Sequence, residues 1–178
     1  MRRAWTDRTR RLIFNLILPV LFFAIFLLLD LLSKAHFASV KTSKGIKGVF
    51  SFYYIMNKGA AFSFLADKPW GQTFFKIITP IALILFGIMF FLAFRKNYKF
   101  YLYGVTFMIT GTLGNFIDRL IFSGVRDFIR LEFMNFAIFN VADILLCVGV
   151  AMVIVHFLFI DENAVFKRNV KKSEDTNE

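Results

Sequence analysis

The chain has little of what most soluble enzymes work with: its 178 residues include one cysteine, two histidines and three prolines. A single Cys147 excludes any intramolecular disulfide. His36 and His156 are the only histidines, fall near opposite ends of the helical layout and form no HExxH pattern, which excludes a histidine-based zinc protease. There is no glycine-rich phosphate loop. Ser33 and Lys34 are neighbours and cannot face each other on a helix, and Ser123 has no base to activate it. Cys147 has no histidine near it on its own segment and reads as a buried structural thiol. Charge is also missing from four long stretches, 12–29, 77–94, 100–117 and 144–160.

What fills those stretches is apolar. Hydrophobic residues make up 58% of the chain and 26 positions are phenylalanine, well above the roughly 45–50% of a soluble domain. At 1.5 Å per residue each stretch spans roughly 26 Å, close to the ~30 Å hydrocarbon core of a bilayer once flanking residues are added. The pattern predicts four transmembrane helices. The first follows Arg2, Arg3, Arg8, Arg10 and Arg11, as a signal peptide would. Its apolar part exceeds the about 7–15 residues of a signal-peptide core and no small-x-small site follows, so it is expected to stay in the membrane.

The net charge of +10 sits at helix ends rather than along one soluble face, which argues against a nucleic-acid partner. It serves orientation instead. The N-terminal arginines, the Arg95, Lys96 and Lys99 loop, and the Lys167, Arg168, Lys171 and Lys172 segment all go to the cytoplasm by the positive-inside rule, and with them both termini. Six lysines from Lys34 to Lys68 pull the other way, but long loops respond weakly to charge. Residues 1–166 read as one membrane-embedded domain and 167–178, ending KKSEDTNE, as a polar disordered tail. Between helices 1 and 2, GVFSFYYIM (48–56) predicts a short strand or hairpin, and Pro69 and Trp70 mark the approach to helix 2. Between helices 3 and 4, VRDFIRLEFMNFAIF predicts an interfacial loop or short amphipathic helix.

This topology gathers the unusual polar residues at one level, near the outer edge of the bilayer. Asp30 and Lys34 end helix 1, Asn115, Asp118 and Arg119 end helix 3, Asn140 and Asp143 begin helix 4, and Asp127 lies in the loop before it. A carboxylate at bilayer depth costs roughly 2.5–3.5 kcal/mol on insertion scales, so several at one level suggest a site. Each also has a plainer reading. Asn140 and Asp143 have the spacing of a capping pair; Asp30 and Lys34 that of an intrahelical salt bridge at the membrane surface. Asp118 could tie helix 3 to its neighbours, Asp127 could be a solvated ion pair with an adjacent arginine, and Asn57 and Gly59 could form an ordinary turn.

Taken in order, DLLSK at Asp30, NKGAAFSF at Asn57, GNFIDR at Gly114, VRDF at Val125 and FNVAD at Phe139 resemble the motif set of bacterial lipoprotein signal peptidase, signal peptidase II. The resemblance implies an all-α polytopic membrane protein of four transmembrane helices. A small extracytoplasmic β element lies between helices 1 and 2 and a short interfacial segment between helices 3 and 4. It implies an aspartyl endopeptidase that cleaves diacylglyceryl-modified prolipoproteins before the lipidated cysteine, with no metal or cofactor. By motif position Asp127 and Asp143 would be catalytic. Asn57, Gly59, Asn115, Arg119 and Asn140 would surround substrate, and Asp30, Lys34, Gly111 and Asp118 would support the site. The expected partners are lipid-modified prolipoprotein signal peptides and membrane lipids, the expected state a monomer, and the expected location the bacterial inner membrane with the active site near its extracytoplasmic face. Lys41, Lys44 and Lys47 fall outside the motifs and have no assigned role. A proton- or ion-coupled transporter would instead need acids along the whole membrane depth, and a non-catalytic scaffold would tolerate asparagine at both aspartates.

Overall fold

Four apolar segments form four helices, each long enough to cross a membrane. The structure is a computed structural model that describes residues 9–59 and 68–161. Residues 60–64 of the NKGAAFSF motif, Arg2, Arg3 and Arg8, and the C-terminal tail lie outside the described residues. Helix α1 (Leu18–Val40) is entered through a π-helical turn, Ile13–Ile17. Helices α2 (Gly71–Lys96) and α3 (Lys99–Phe122) end at Asn97 and Ser123, both in the left-handed conformation. Helix α4 (Val141–Val155) runs on into a second π-helical turn, His156–Ile160.

Helix α3 is the central one: 56% of its most apolar window is buried, against 11–17% for the other three helices. The others expose Leu, Ile, Val and Phe on their outer faces, which is the pattern expected where lipid rather than water is the solvent. Small residues let α3 and α4 approach closely, as is usual for helix pairs in membranes. A Cβ on Gly149 would meet the Gly104 carbonyl and the Met108 backbone, and one on Gly111 would collide with the backbone of Ala142 and Leu146.

Helix α1 extends further than the apolar run 12–29 suggests, because Asp30 and Lys34 lie inside it, fully buried. After it come strands β1 (Thr42–Ile46) and β2 (Phe50–Asn57); the stretch 48–56, expected to hold a strand or hairpin, supplies part of the turn and most of β2, and β1 lies ahead of it. The segment after α3, read from sequence as an interfacial loop or short amphipathic helix, begins with a third strand, β3 (Val125–Leu131). The three form one antiparallel sheet in the order β1-β2-β3. Its V-R-D-F-I-R-L sequence is too short and too charged to show helical periodicity, and it is stabilised by pairing with β2, from Phe50 opposite Leu131 to Asn57 opposite Val125. Phe37, at the end of α1, stacks on Phe52 at 4.4 Å and on Phe128 at 4.5 Å, so the sheet is fixed to the helices by aromatic packing.

Cys147 corrects another expectation: it is exposed. Ala142, Leu145 and Gly149 form the buried stripe of α4, and position 147 falls on the opposite, outward side of a helix with that stripe.

Gly149→Leu should wedge α3 and α4 apart at Gly104. A loss of about 1–3 kcal/mol is expected for such overpacking, read as a lower thermal unfolding midpoint of the purified protein in detergent, with an exposed Val148→Leu change as the neutral control.

Candidate active site

A helix that starts at bilayer depth needs partners for its first N–H groups, which water cannot supply there. In α4 those partners are acids and amides. Asn140 is the N-cap: its Oδ1 accepts from the Asp143 N–H at 3.1 Å, while its own N–H donates to Asp143 Oδ2 at 3.0 Å. The capping pair read from the spacing is therefore present as a full capping box. The Ala142 N–H donates to Asp30 Oδ1 at 2.9 Å, across from α1. Gly114 makes room for this contact, since a Cβ there would collide with Asp30 Oδ2.

The same residues reach Asp127. Asn140 Nδ2 donates to Asp127 Oδ1 at 2.6 Å, and Asn57 Nδ2 donates to Asp127 Oδ2 at 2.9 Å. Strand β3 brings Asp127 here by pairing it with Ile55, and the Phe139 carbonyl accepts from the Phe128 and Ile129 N–H groups, closing the intervening loop onto α4. Asp127 is only 2% exposed, so the solvated ion pair with its neighbour is not what forms. Burial, with the Asp143 charge nearby, pushes its carboxyl up to about 7 against the lowering effect of the two amides.

Asn115 ties the site to the buried charges. Lys34 Nζ donates to Asn115 Oδ1 at 2.9 Å, Asn140 Nδ2 donates to the same oxygen at 3.0 Å, and Asn115 Nδ2 donates to Asp143 Oδ1 at 2.7 Å. An ammonium has only donors, so Lys34 fixes the amide with its oxygen inward and its NH2 toward the carboxylate. Lys34 also pairs with Asp30 at 2.7 Å and lies 3.9 Å from Asp118. The i, i+4 salt bridge expected at the membrane surface thus exists but is wholly buried. Asp118 in turn accepts from the Arg126 N–H and guanidinium, the latter at 2.7 Å, and so does tie α3 to β3. Gly59 accepts at its carbonyl from Arg119 at 3.4 Å, and its N–H donates to Asn57 Oδ1. Arg119 lies over the Phe75 ring, and its buried Nε has no hydrogen-bond partner among the described residues.

All eleven residues named from the motifs therefore fall in or against one cluster. Gly111 takes part through helix packing alone. Among the described residues no cluster of three or more His, Cys, Asp or Glu is arranged to hold a metal. Sequence reading missed Arg126, Gly114 and the Ala142 N–H. The signal for Arg126 was strand alternation, which turns it away from Asp127, but the strand itself was not recognised.

Comparison with known proteins assigns the family. A model described as Signal peptidase (SPase) II matches residues 22–159. The chain belongs to the signal peptidase II family. It is 45% identical over 113 residues to a lipoprotein signal peptidase of Latilactobacillus sakei, covering 64% of this chain and 72% of that one. With the lipoprotein signal peptidase of Lactiplantibacillus plantarum it shares 42% identity over 125 residues, 70% of this chain and 80% of the other. A bacterial membrane enzyme solved by the in meso method at 2.3 Å superimposes with a TM-score of 0.71 at 30% identity, over 80% of this chain and 88% of that one. Family membership makes this a multi-pass bacterial membrane protein and a signal peptidase rather than a transporter.

Lys34→Met should leave Asp30 buried without its partner and destabilise the fold by about 3–5 kcal/mol. Asp30→Asn in the same chain should recover a good part of that loss. Denaturant unfolding of the two variants checks this, and equal loss in both would refute the pairing argument.

Proposed function

We propose that this signal peptidase II family member is an aspartyl endopeptidase whose dyad is Asp127 and Asp143. The substrates are diacylglyceryl-modified prolipoproteins, cut just before the lipidated cysteine. The observation that carries this reading is that one residue, Asn140, hydrogen-bonds both aspartates. Two carboxyl groups held against one amide and largely withdrawn from water repel each other as anions, so the pair favours sharing a proton.

The two environments suggest the division of labour. Asp143 is half-buried, begins a helix and accepts from an N–H of the helix cap and from Asn115. Asp127 is the more buried and holds its proton near neutral pH. In the reaction, ionised Asp143 takes a proton from water as the water oxygen bonds to the scissile carbonyl carbon, and Asp127 gives its proton to the carbonyl oxygen. Asp143 then passes its proton to the amide nitrogen as the C–N bond breaks, and Asp127 regains its own from the collapsing diol. Arg119, Asn57 and the Gly59 backbone line the approach and offer donors to an extended peptide. Asn115 and Asn140 hold the dyad, and Asp30, Lys34, Gly111 and Asp118 support it.

Orientation follows from the basic residues at the far end of the bundle. Arg10, Arg11, Arg95, Lys96 and Lys99 all lie there, and Arg11 donates to the Phe94 and Arg95 carbonyls at the end of α2. We place that end and both termini in the cytoplasm, with the dyad near the extracytoplasmic face of the inner membrane. The enzyme acts as a monomer.

Cleavage of a diacylglyceryl-modified prolipoprotein by the purified protein, with chelator present, should fall by about 10³-fold or more in Asp127→Asn and in Asp143→Asn, in keeping with loss of an acid–base group. Activity surviving in either variant would remove that residue from the dyad.

The pH dependence has a defined sign. A carboxyl raised from 3.8 to about 7 keeps its proton through that interval and loses it as pH rises past 7. The kcat/KM profile should therefore fall on its alkaline side from about pH 7. A profile flat to pH 9 would show that Asp127 is not the proton donor.

A further inference from the structure

Strand β1 and the turn that follows it supply no residue to the site just described. Strand β1 is exposed along its whole length, and together with β2 and β3 it frames an open groove of about 770 Å³ lined by Lys44, Lys47 and Arg130, with the Ser43 and Ser51 hydroxyls and the Phe50 ring between them. Lys41, Lys44, Lys47 and Arg130 are all exposed. Against them, the described residues of the sheet and its connecting loops expose one carboxylate, Glu132, and it accepts from the Gly48 N–H at 2.8 Å. Lysines on an edge strand also keep other strands from pairing with it. That does not account for Arg130, which lies on β3 at the other edge and lines the same groove.

The end of the sheet at the β1–β2 turn is apolar. Ile46 is 59% exposed, Val49 46%, Phe133 64% and Met134 47%. The Glu132 N–H donates to the Val49 carbonyl at 3.0 Å, so the hairpin turn and the start of the 133–136 loop sit side by side. An exposed apolar patch of this kind outside the bundle marks a contact surface. Its place in the fold says with what. From Asp30, level with the dyad, α1 continues about 15 Å to Val40, which carries the sheet from the edge of the hydrocarbon into the headgroup layer. The sheet therefore stands at the level of the headgroups.

We propose that this surface docks on the outer leaflet and binds an anionic phospholipid headgroup, its phosphate held by Lys44, Lys47 and Arg130 while Ile46, Val49, Phe133 and Met134 rest among the upper acyl chains. Basic residues beside exposed apolar ones are the pairing that surface-bound segments use, and a guanidinium adds two-pronged binding of phosphate oxygens. The effect on function is to hold the sheet, and with it Asp127 on β3, at a fixed depth against the membrane.

The test uses the whole protein in lipid nanodiscs, with a bimane label at Val49→Cys in a Cys147→Ala background. Discs contain equal phosphatidylglycerol and phosphatidylcholine, with brominated chains on one or the other. Quenching by brominated phosphatidylglycerol should exceed that by brominated phosphatidylcholine by about threefold, and Lys44→Glu/Lys47→Glu/Arg130→Glu should bring the two to parity. Equal quenching in the parent, no quenching by either lipid, or a preference that survives the triple change would each overturn the proposal. A raised KM for prolipoprotein in the triple variant in all-phosphatidylcholine discs would overturn it too, by giving the groove to the peptide. The quenching readout does not depend on the dyad, so it stands apart from the assignment of Asp127 and Asp143.

Discussion

The capping of α4 at bilayer depth is the constraint on which the rest of the site depends. In water, the first N–H groups of a helix can be left to solvent; here each unsatisfied one would cost several kcal/mol. The chain meets this by placing Asn140, Asp143 and Asp30 around the first turn. Asp30 can reach Ala142 only because Gly114 has no side chain, and the α4 backbone can lie against α3 only because Gly111 has none. Lys34 then becomes necessary, since a buried Asp30 needs a cation. A set of residues that would each serve as an ordinary cap or salt bridge on a soluble helix becomes one interlocked cluster when water is removed.

The sheet does for Asp127 what the helices do for Asp143. A loop of some twenty residues between α3 and α4 would leave Asp127 with no fixed position. Pairing of β3 with β2, and of Phe139 with Ile129, removes that freedom. Phe37 between Phe52 and Phe128 sets the sheet against α1, and the Asp118–Arg126 pair sets β3 against α3. Asp127 is therefore located by β2, α1 and α3, each of which also supplies a side chain to the cluster: Asn57, Lys34 and Asn115.

This division explains what could be read from the sequence. The four spans were legible because hydropathy over about 18 residues is a strong signal in lipid. The Asn140–Asp143 cap was legible because its spacing is local. The burial of Asp30 and Lys34 was not, since nothing at i, i+4 distinguishes a surface pair from one held beneath Gly114 and Asn115. Nor was β3, whose partner lies some seventy residues earlier and whose charged residues hide its alternation. Cys147 was misread as buried because a lipid-facing position and a core position are equally apolar, so hydrophobicity alone cannot separate them in a membrane helix.

Charge balance bears on the proposed pairing of Asp127 and Asp143. The cluster contains four carboxyl groups, Asp30, Asp118, Asp127 and Asp143, and three cations, Lys34, Arg119 and Arg126, with Lys34, Asp30 and Asp118 wholly buried. Fully ionised, it would carry one excess negative charge at a depth where isolated charge is strongly penalised. A single bound proton makes it neutral. Asp30 and Asp118 are each in direct contact with a cation, whereas among the described residues Asp127 and Asp143 accept from neutral amides and a backbone N–H. In the proposed mechanism, the proton on Asp127, whose carboxyl burial pushes up to about 7, is also one that would offset the excess negative charge of the cluster.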